Sequence, residues 1–396
     1  MSVVKRTLLA AELTTGRRLV GLPFSGGQWS VSSGAAGSIT ATIPLDAAEF
    51  RRVAPVVQGG LVRWLPTDEW RGDIRVITEP TRTMLAVVQG DSIIEAGPIW
   101  VREWDLGAGT LTLRATGIRA VFDHRLLVSH LVDWAQAGSP AASSLVYSGL
   151  SLGTIAKRMV QEALAQTGGA LPVVLPADVA GTHERSYPGY ELAMVGQRLS
   201  ELSAVENGPE IQFDPRLTSD RQGIEFAFRH GSEADPALHQ SGMDWVVDTT
   251  VPRGVLGGLR VTEDASNMTL RAIAKGPGTA KATLISRAAT SGLLAAGYPL
   301  LDSVRSYTSD TQSQSSLDAN AAGDLDANDR PWQTWNLTVK ADDRMGQVRI
   351  GDWWAVRLGG GPFLPAGTYR SRLAAMSGAL GGDTVDLTLA PTEVPL

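Results

Sequence analysis

The fold is decided by one stretch, Ser186-Tyr-Pro-Gly-Tyr190-Glu-Leu-Ala-Met-Val-Gly-Gln-Arg-Leu-Ser-Glu-Leu202, and by the residues that follow it to Gly231. It opens with a turn signature, Tyr187-Pro188-Gly189, after which apolar residues recur at the spacing of one helical stripe. Asn207-Gly208-Pro209 predicts the end of the helix, because glycine tolerates a left-handed cap and proline has no N–H to donate. The predicted buried stripe is Leu192, Val195, Leu199 and Leu202.

A hairpin is predicted directly after this helix. Glu210–Asp214 and Ile224–His230 both alternate apolar and polar residues, and Ser219–Gly223 has the composition of a hairpin loop. The larger apolar side chains of each strand share one face, which we expect to cover the helix: Ile211, Phe213, Ile224, Phe226 and Phe228. The result is a helix-plus-hairpin module in the middle of the chain.

Composition limits the classes of protein that the chain can belong to. At 396 residues we expect two to four domains, and 43% hydrophobic residues are enough for a sizeable core. The absence of cysteine excludes disulfides, thiolate metal sites and a cysteine nucleophile. With 35 basic and 41 acidic residues the net charge is −6, which argues against binding nucleic acid through its phosphates.

Targeting and membrane signals are also missing. No apolar run reaches the ~18 residues of a membrane span. The short apolar run near the N-terminus ends at Glu12, too early for the core of a signal peptide. We therefore expect synthesis in the cytoplasm without export by the general secretion route.

The regions on either side of the module have the pattern of short strands. Up to about residue 125, strands are predicted at Ser38–Leu45, Leu61–Leu65 and Asp73–Ile77, with hairpin turns at Gly90-Asp91 and Leu106–Gly109. This spacing indicates a small antiparallel barrel or sandwich. Strands return after Val251, and the clearest are predicted at Val255–Thr262, Asn267–Lys275, Pro331–Lys340, Arg349–Leu358 and Thr384–Leu389.

Helices concentrate between these strand-rich regions. Leu152–Gln166 is the clearest helix and is followed by the cap Gly168-Gly169. Shorter helices are predicted at Arg119–Leu127 and Ser129–Gln136, and one more at Leu317–Asn328. The predicted fold is therefore mainly β with an α+β middle, in three domains: a β domain at 1–125, an α+β region at 126–250 and a β domain at 251–396.

No metal or phosphate motif is complete. The histidines, at His124, His130, His183, His230 and His239, lack ligand spacing, and Pro188 breaks any helix after His183-Glu184. Ala274–Lys281 has the wrong glycine spacing for a phosphate loop, which favours a plain loop between strands. Asp324–Asp329 starts like a calcium loop but lacks the glycine and the bidentate glutamate, which favours a polar helix end.

Two further groups of residues have both a catalytic or binding interpretation and a structural one. A glycosidase would need two carboxylates to converge across a cleft, and the sequence does not constrain whether any do among Glu12, Glu69, Asp91, Glu95 and Asp105. No Gly-x-Ser-x-Gly elbow is present, so that type of serine hydrolase is unsupported. The eleven tryptophans could stack on sugars, but core or subunit interface is favoured, with Trp64, Trp100 and Trp335 in cores and Trp353-Trp354 placing one ring inside and one outside.

Several stretches resemble the minor tail proteins of long-tailed phages (siphoviruses) that infect actinobacteria, within the baseplate-hub superfamily. In the first third they are Gly97-Pro98-Ile99 and Gly109–Gly117, and in the module they are Leu199–Leu202, Gly208–Phe213 and Ile224–Phe228. In the last third they are Gly276-Pro-Gly278, Gly297-Tyr-Pro-Leu300, Trp332–Val339 and Ile350-Gly351-Asp352. The resemblance covers most of residues 80–390 and consists of strand and turn patterns rather than catalytic signatures.

The resemblance implies a fold, an assembly and a location. The fold is two small antiparallel β-barrels that flank the helix-plus-hairpin region. Three copies with two barrels each form a ring that adapts the six-fold tail to a three-fold tip. The ring surrounds the DNA channel, through which DNA passes without specific binding, in the tail tip of the virion.

The resemblance also implies a set of protein partners and the absence of catalytic activity. The partners are further copies of the chain, the distal tail protein, the tape-measure protein and other tail-tip proteins. No catalytic, cofactor-binding or metal residue is assigned, and the chain is expected not to be an enzyme. The alternatives are a carbohydrate-binding or cell-wall-degrading tail protein, and the distal tail protein itself, which has one barrel and a galectin-like domain.

Overall fold

A computed structural model describes residues 6–46, 51–58, 61–70, 74–136, 138–205, 207–238, 244–251, 256, 258–307 and 313–391. The described residues up to 116 form strands and one helical turn: β1 (Arg6–Glu12), β2 (Arg18–Leu22), β3 (Gly26–Ser32), β4 (Ser38–Pro44), β5 (Arg51–Gln58), β6 (Leu61–Trp70), α1 (Ile74–Ile77), β7 (Thr83–Gln89), β8 (Ser92–Asp105) and β9 (Thr110–Thr116). Both hairpins predicted here are confirmed, since β7 pairs with β8 and β8 with β9 in antiparallel register.

The middle of the chain mixes helices and strands. Its elements are α2 (Ser139–Ala142), β10 (Ser144–Leu150), α3 (Leu152–Ala165), β11 (Val173–Val174), β12 (Ala180–Pro188), α4 (Val195–Ser203), β13 (Ile211–Leu217) and β14 (Ile224–His230). The predicted hairpin is confirmed, with Phe213 opposite Phe228. The helix predicted at 152–166 is also confirmed, and the hydroxyl of Ser151 caps it by accepting from the N–H of Thr154.

The last part returns to strands. Its elements are β15 (Trp245–Asp248), β16 (Leu259–Asp264), β17 (Arg271–Lys275), β18 (Ile285–Ala289), α5 (Gly292–Ala295), β19 (Asp302–Ser306), α6 (Gln314–Asn328), β20 (Trp332–Lys340), β21 (Trp353–Leu358), β22 (Gly367–Ala379) and β23 (Thr384–Pro391). The predicted helix at 317–328 is confirmed and begins three residues earlier, where the Ser313 hydroxyl caps it.

The start of the helix predicted at Tyr190 is wrong. Residues 189–191 form a 3-10 turn, Leu192 adopts a left-handed conformation with φ 46°, and α4 begins only at Val195. The reason is a tertiary one, because the N–H of Val195 donates to the carbonyl of Arg125 and the carbonyl of Ala193 accepts from Leu127. These bonds hold Met194 extended in a bridge to Leu126, which leaves Leu192 exposed and off the predicted stripe.

Three shorter predictions are also corrected. The strand predicted at 73–77 is the single turn α1, in which the Thr78 hydroxyl bonds back to the carbonyl of Ile74. The helix predicted at 129–136 is a series of turns, where the Asp133 carboxylate accepts from the N–H of Ala135. The helix predicted at 119–127 is a 3-10 helix over Ile118–His124.

Thirteen strands of the described residues form one large sheet. Its main path runs β16-β20-β23-β22-β3-β4-β9-β8-β7-β1-β2, and β21 joins β15 to β22. All neighbours are antiparallel except β15 and β21. The early and late strands join where β3 pairs with β22, with Val31 opposite Met376. These pairings do not close a barrel within the described residues, so the two barrels stay a prediction.

The strands at the centre of the sheet are buried on both faces. One face of β1 and β7 places Leu8 and Leu85 in a core shared with the late strands. The opposite face places Leu9 and Met84 in a second core with α3, α4 and the hairpin. This two-sided burial explains why β7 has a continuous apolar sequence rather than an alternating one.

The helix-plus-hairpin module packs as its sequence pattern predicts. Leu199 and Leu202 of α4 lie in the second core with Phe213, Phe226 and the other inward residues of the hairpin. In a separate small sheet, ordered β18-β17-β19, one face packs against α6. None of the described helices is long and apolar enough to cross a membrane.

Candidate functional site

The carboxylates considered for catalysis do not come together. Three of them each have a separate partner: Glu12 has Arg17, Asp91 has Arg221, and Asp105 has the N–H of Ala108. Glu95 is buried in β8, and the side chain of Glu69 lies outside the described residues. The described members of this group therefore supply no acid–base pair across a cleft.

The histidines are also dispersed. Their neighbours differ: His124 lies against Trp100, His130 against Glu162, His183 against Glu233, and His230 against the carbonyl of Gly231. His239 lies outside the described residues. Within the described ranges, no cluster of three histidine, aspartate or glutamate side chains could hold a metal ion.

Both segments with partial loop motifs have structural roles. Asp324 lies in the last turns of α6, where it forms an ion pair with Arg305 of β19 at 2.8 Å. Asp329 is the C-cap of the same helix, so the predicted polar helix end is confirmed. Residues 274–281 run from β17 into the loop before β18, as predicted.

The tryptophans occupy the core and its margins. Trp335 is fully buried, Trp354 is buried and Trp353 is half-buried beneath the guanidinium of Arg370, which lies 4.0 Å from the ring centroid. Trp100 is half-buried and donates its indole N–H to Thr116. The core position predicted for Trp335 is confirmed, while the side chain of Trp64 lies outside the described residues.

A polar cleft of about 510 Å³ separates β12 and α4 from the region of α6. Arg198 lines the cleft and forms ion pairs with Glu191 and Glu201. Tyr187 lines the same cleft, and burial raises the pKa of its hydroxyl to about 12. The cation of Arg198 is shared by two carboxylates, and the hydroxyl of Tyr187 stays protonated. These groups are typical of a structural junction rather than of a catalytic centre.

A buried carboxyl group lies where β8 meets the middle region. Glu95 is 4% exposed, and its Oε1 accepts from the N–H of Ala96 at 2.8 Å. Its Oε2 packs against Gly37, where a side chain would overlap it. Burial, and secondarily the charge of Asp214, raises the pKa of Glu95 to about 8. The group is therefore held in its neutral form at neutral pH.

A second buried carboxylate connects β15 to the turn before β21. Asp352 is 1% exposed, and its Oδ2 accepts from the indole N–H of Trp245 at 3.0 Å and from the N–H of Arg349 at 2.8 Å. Burial raises the pKa of this carboxyl group. The sequence analysis did not single out Asp352. It considered Glu95 only as a catalytic carboxylate and missed its burial, although a glutamate between Ile94 and Ala96 in an apolar strand was an available signal.

Exposed apolar residues lie beside a groove on the surface. Phe363 is 93% exposed beside a groove of about 580 Å³, lined in part by Leu259, Val261 and Leu364. The groove follows β16, which ends the large sheet on one side. Because unpaired edges and exposed apolar residues favour association, these features indicate contact surfaces.

Comparison with known proteins identifies a shared fold. No protein-family model matches the chain, and no curated protein matches its sequence. The fold is similar to that of a tail protein from Neisseria meningitidis MC58, at 13% identity and a TM-score of 0.53, covering 98% of this chain and 97% of that one. It is equally similar to the 43 kDa tail protein of prophage MuSo2 from Shewanella oneidensis, at 10% identity and a TM-score of 0.53, covering 98% of each chain.

Proposed function

We propose that this chain is a structural component of a phage tail, specifically a tail-tip hub protein. Three copies form a ring that adapts the six-fold tail to a three-fold tip and surrounds the DNA channel. The early and late strand-rich regions act as two barrel-like halves of each copy. The chain has no enzymatic activity of its own in this proposal.

The observation that carries this proposal is the extent of the fold likeness. Two proteins described as tail proteins share the fold over 98% of this chain and at least 97% of their own lengths. A likeness over entire chains supports a common architecture rather than one shared domain. The dispersed carboxylates and histidines add support, since they leave the described residues without a recognisable catalytic centre.

The ring itself is supported by the surface of the molecule. The edge strand β16 and the exposed Phe363 are features that a solitary soluble protein usually protects. In a ring they are covered by neighbouring copies or by other tail proteins. We expect each intersubunit interface to exceed about 2,000 Å², the size class of permanent assemblies.

The proposed partners follow from the same role. Beyond copies of itself, the chain contacts the distal tail protein, the tape-measure protein and other tail-tip proteins in the virion. DNA passes through the lumen without specific binding, and the net charge of −6 is compatible with a channel wall that does not retain phosphates.

The test is the mass and shape of the purified protein. Light scattering and negative-stain images are expected to show trimers or rings, and an assay on purified host cell wall is expected to release no glycan. A strictly monomeric protein would contradict the hub. Glycan turnover would favour the cell-wall-degrading alternative, and a hexameric ring of single-barrel subunits would favour the distal tail protein.

A further inference from the structure

The hairpin of β8 and β9 ends in an acidic and apolar tip. We call residues 103–106 together with Asp46 the acidic tip. Trp104 is 60% exposed and Leu106 is 81% exposed, so the end of the hairpin presents two large apolar groups to solvent. Glu103 and Asp105 are exposed on the other face of the strand, where Glu103 forms an ion pair with the exposed Arg114 at 3.2 Å. Asp46 follows the adjacent strand, where the N–H of Leu45 donates to the carbonyl of Gly109.

The small sheet of β18, β17 and β19 has one covered and one open face. Ala274 of β17 packs against Leu317 of α6, and the hydroxyl of Ser286 and the guanidinium of Arg305 also reach carboxylates of α6. Because side chains alternate along a strand, the intervening residues face the other way.

The open face is basic and apolar. We call Ile273, Lys275, Ile285, Arg287 and Val304 together the basic face. The same side of the sheet also carries the ion pair of Arg271 and Asp302, whose cation and carboxylate balance each other. The strand register places these residues together, with Ile273 opposite both Arg287 and Val304, and Lys275 opposite Ile285. Lys275 and Arg287 are exposed, and Ile285 and Val304 are 58% and 63% exposed. An exposed apolar face with added cations is unusual in a chain of net charge −6.

We propose that the acidic tip of one copy docks on the basic face of the next copy. The carboxylates of Glu103 and Asp105 then lie opposite Lys275 and Arg287, and Leu106, in the turn at the end of the hairpin, packs on the exposed aliphatic groups of the sheet. Exposed apolar groups surrounded by complementary charges are typical of specific interfaces. This inference rests on the proposed ring.

A second copy is the occupant because both complementary surfaces belong to one sequence. They lie in different regions of the chain, so the contact is head-to-tail rather than self-paired. Repetition of a head-to-tail contact closes a ring when the rotation allows it. No other partner is required to cover either surface.

The test is reciprocal charge reversal in the full-length chain. The variants are E103K/D105K, K275E/R287E and the combination of all four changes. Each double variant is expected to raise the dissociation constant of the assembly by about tenfold or more, since it places like charges in contact. The combination is expected to restore assembly, as measured by mass photometry and sedimentation velocity.

Controls separate this inference from the proposed function. D133K/E184K reverses two exposed carboxylates of the middle region and is expected to leave assembly unchanged. Far-UV circular dichroism verifies that every variant is folded. The docking proposal is contradicted if the wild type assembles and either double variant assembles equally well. It is also contradicted if the combination of all four changes stays dissociated. Neither result contradicts the proposed hub function. If the wild type never assembles, the hub itself is contradicted.

Discussion

Arg372 of β22 and Glu210, just before β13, form a two-bond ion pair that joins the large sheet to the middle module. The distances from the guanidinium to the two carboxylate oxygens are 3.0 and 2.5 Å, and Arg372 also donates to the carbonyl of Leu238 at 2.8 Å. Both side chains are partly buried, at 18% and 32% exposure. This pair therefore connects β22 directly to the start of the hairpin.

Removing the cation of this pair is expected to destabilise the protein. R372A leaves Glu210 partly buried without its partner, and we expect a loss of about 2–3 kcal/mol in the free energy of unfolding. The measurement is urea denaturation. The matched control is R344A, because Arg344 pairs with Asp342 at the exposed surface and is expected to contribute less than about 1 kcal/mol. Equal effects of the two substitutions would contradict this account.

The stability of the protein is expected to fall as the pH rises from about 5 to 8. In the folded state the pKa of Glu95 is about 8, against 4.5 for an unperturbed glutamate. In this window the unfolded chain releases the proton while the folded chain retains it, so the stabilisation is complete below pH 4.5 and is lost towards pH 8. The expected loss is roughly 3–5 kcal/mol.

Glu95→Gln tests this pH dependence. The amide has a similar shape and does not ionise, so denaturation midpoints of E95Q are expected to change less between pH 5 and 8 than those of the wild type. The exposed Glu184→Gln is the control and is expected to keep the wild-type profile. A wild-type profile that is flat over this range would show that Glu95 does not govern it.

Gly16 is expected to be intolerant of a side chain. It has φ +73°, its carbonyl accepts from the N–H of Ile224, and a Cβ atom at this position would overlap the carbonyl oxygen of Ile224. G16A is therefore expected to cost about 3 kcal/mol or more, from strain and from displacement of the hairpin. G34A is the control, because Gly34 has φ +70° but open space around it, and we expect about 1 kcal/mol.

The corrected start of α4 predicts different effects for two leucines of the same sequence stripe. Leu199 is fully buried, so L199A is expected to lower the free energy of unfolding by about 2–5 kcal/mol. Leu192 is 51% exposed, so L192A is expected to cost less than about 1 kcal/mol. Thermal and urea denaturation of both variants would measure these losses. A large loss of stability in L192A would contradict the exposed position of Leu192 and indicate that it belongs to the buried stripe of the helix.

The sequence predicted those elements whose local signals agree with their packing. The hairpin of β13 and β14 has one buried face, so period-two alternation was sufficient to find it. The helix α3 has a buried stripe and a serine cap at Ser151. The extended conformation of Met194, just before α4, was missed because distant backbone groups at Arg125 and Leu127 determine it.

The acidic tip and the basic face were harder to predict from the sequence than the hairpin and the helices. Leu106 stands in a turn with glycine and aspartate neighbours, so an exposed apolar residue could have been suspected there. The basic face could not have been predicted, because it depends on the register between β17, β18 and β19. The burial of Glu95 likewise depends on close approach by Gly37, which is 58 positions away in the sequence.

The pairing of β3 with β22 has a consequence for biosynthesis. Val31 and Met376 are neighbours in the sheet although 345 positions separate them along the chain. During translation β3 therefore cannot form this pairing until residues 367–379 have been synthesised. Until then the edge of β3 can pair with strands of other nascent chains. Contacts of such long sequence separation form slowly, so efficient production of this protein depends on keeping early segments apart during translation, for example by chaperones or low temperature.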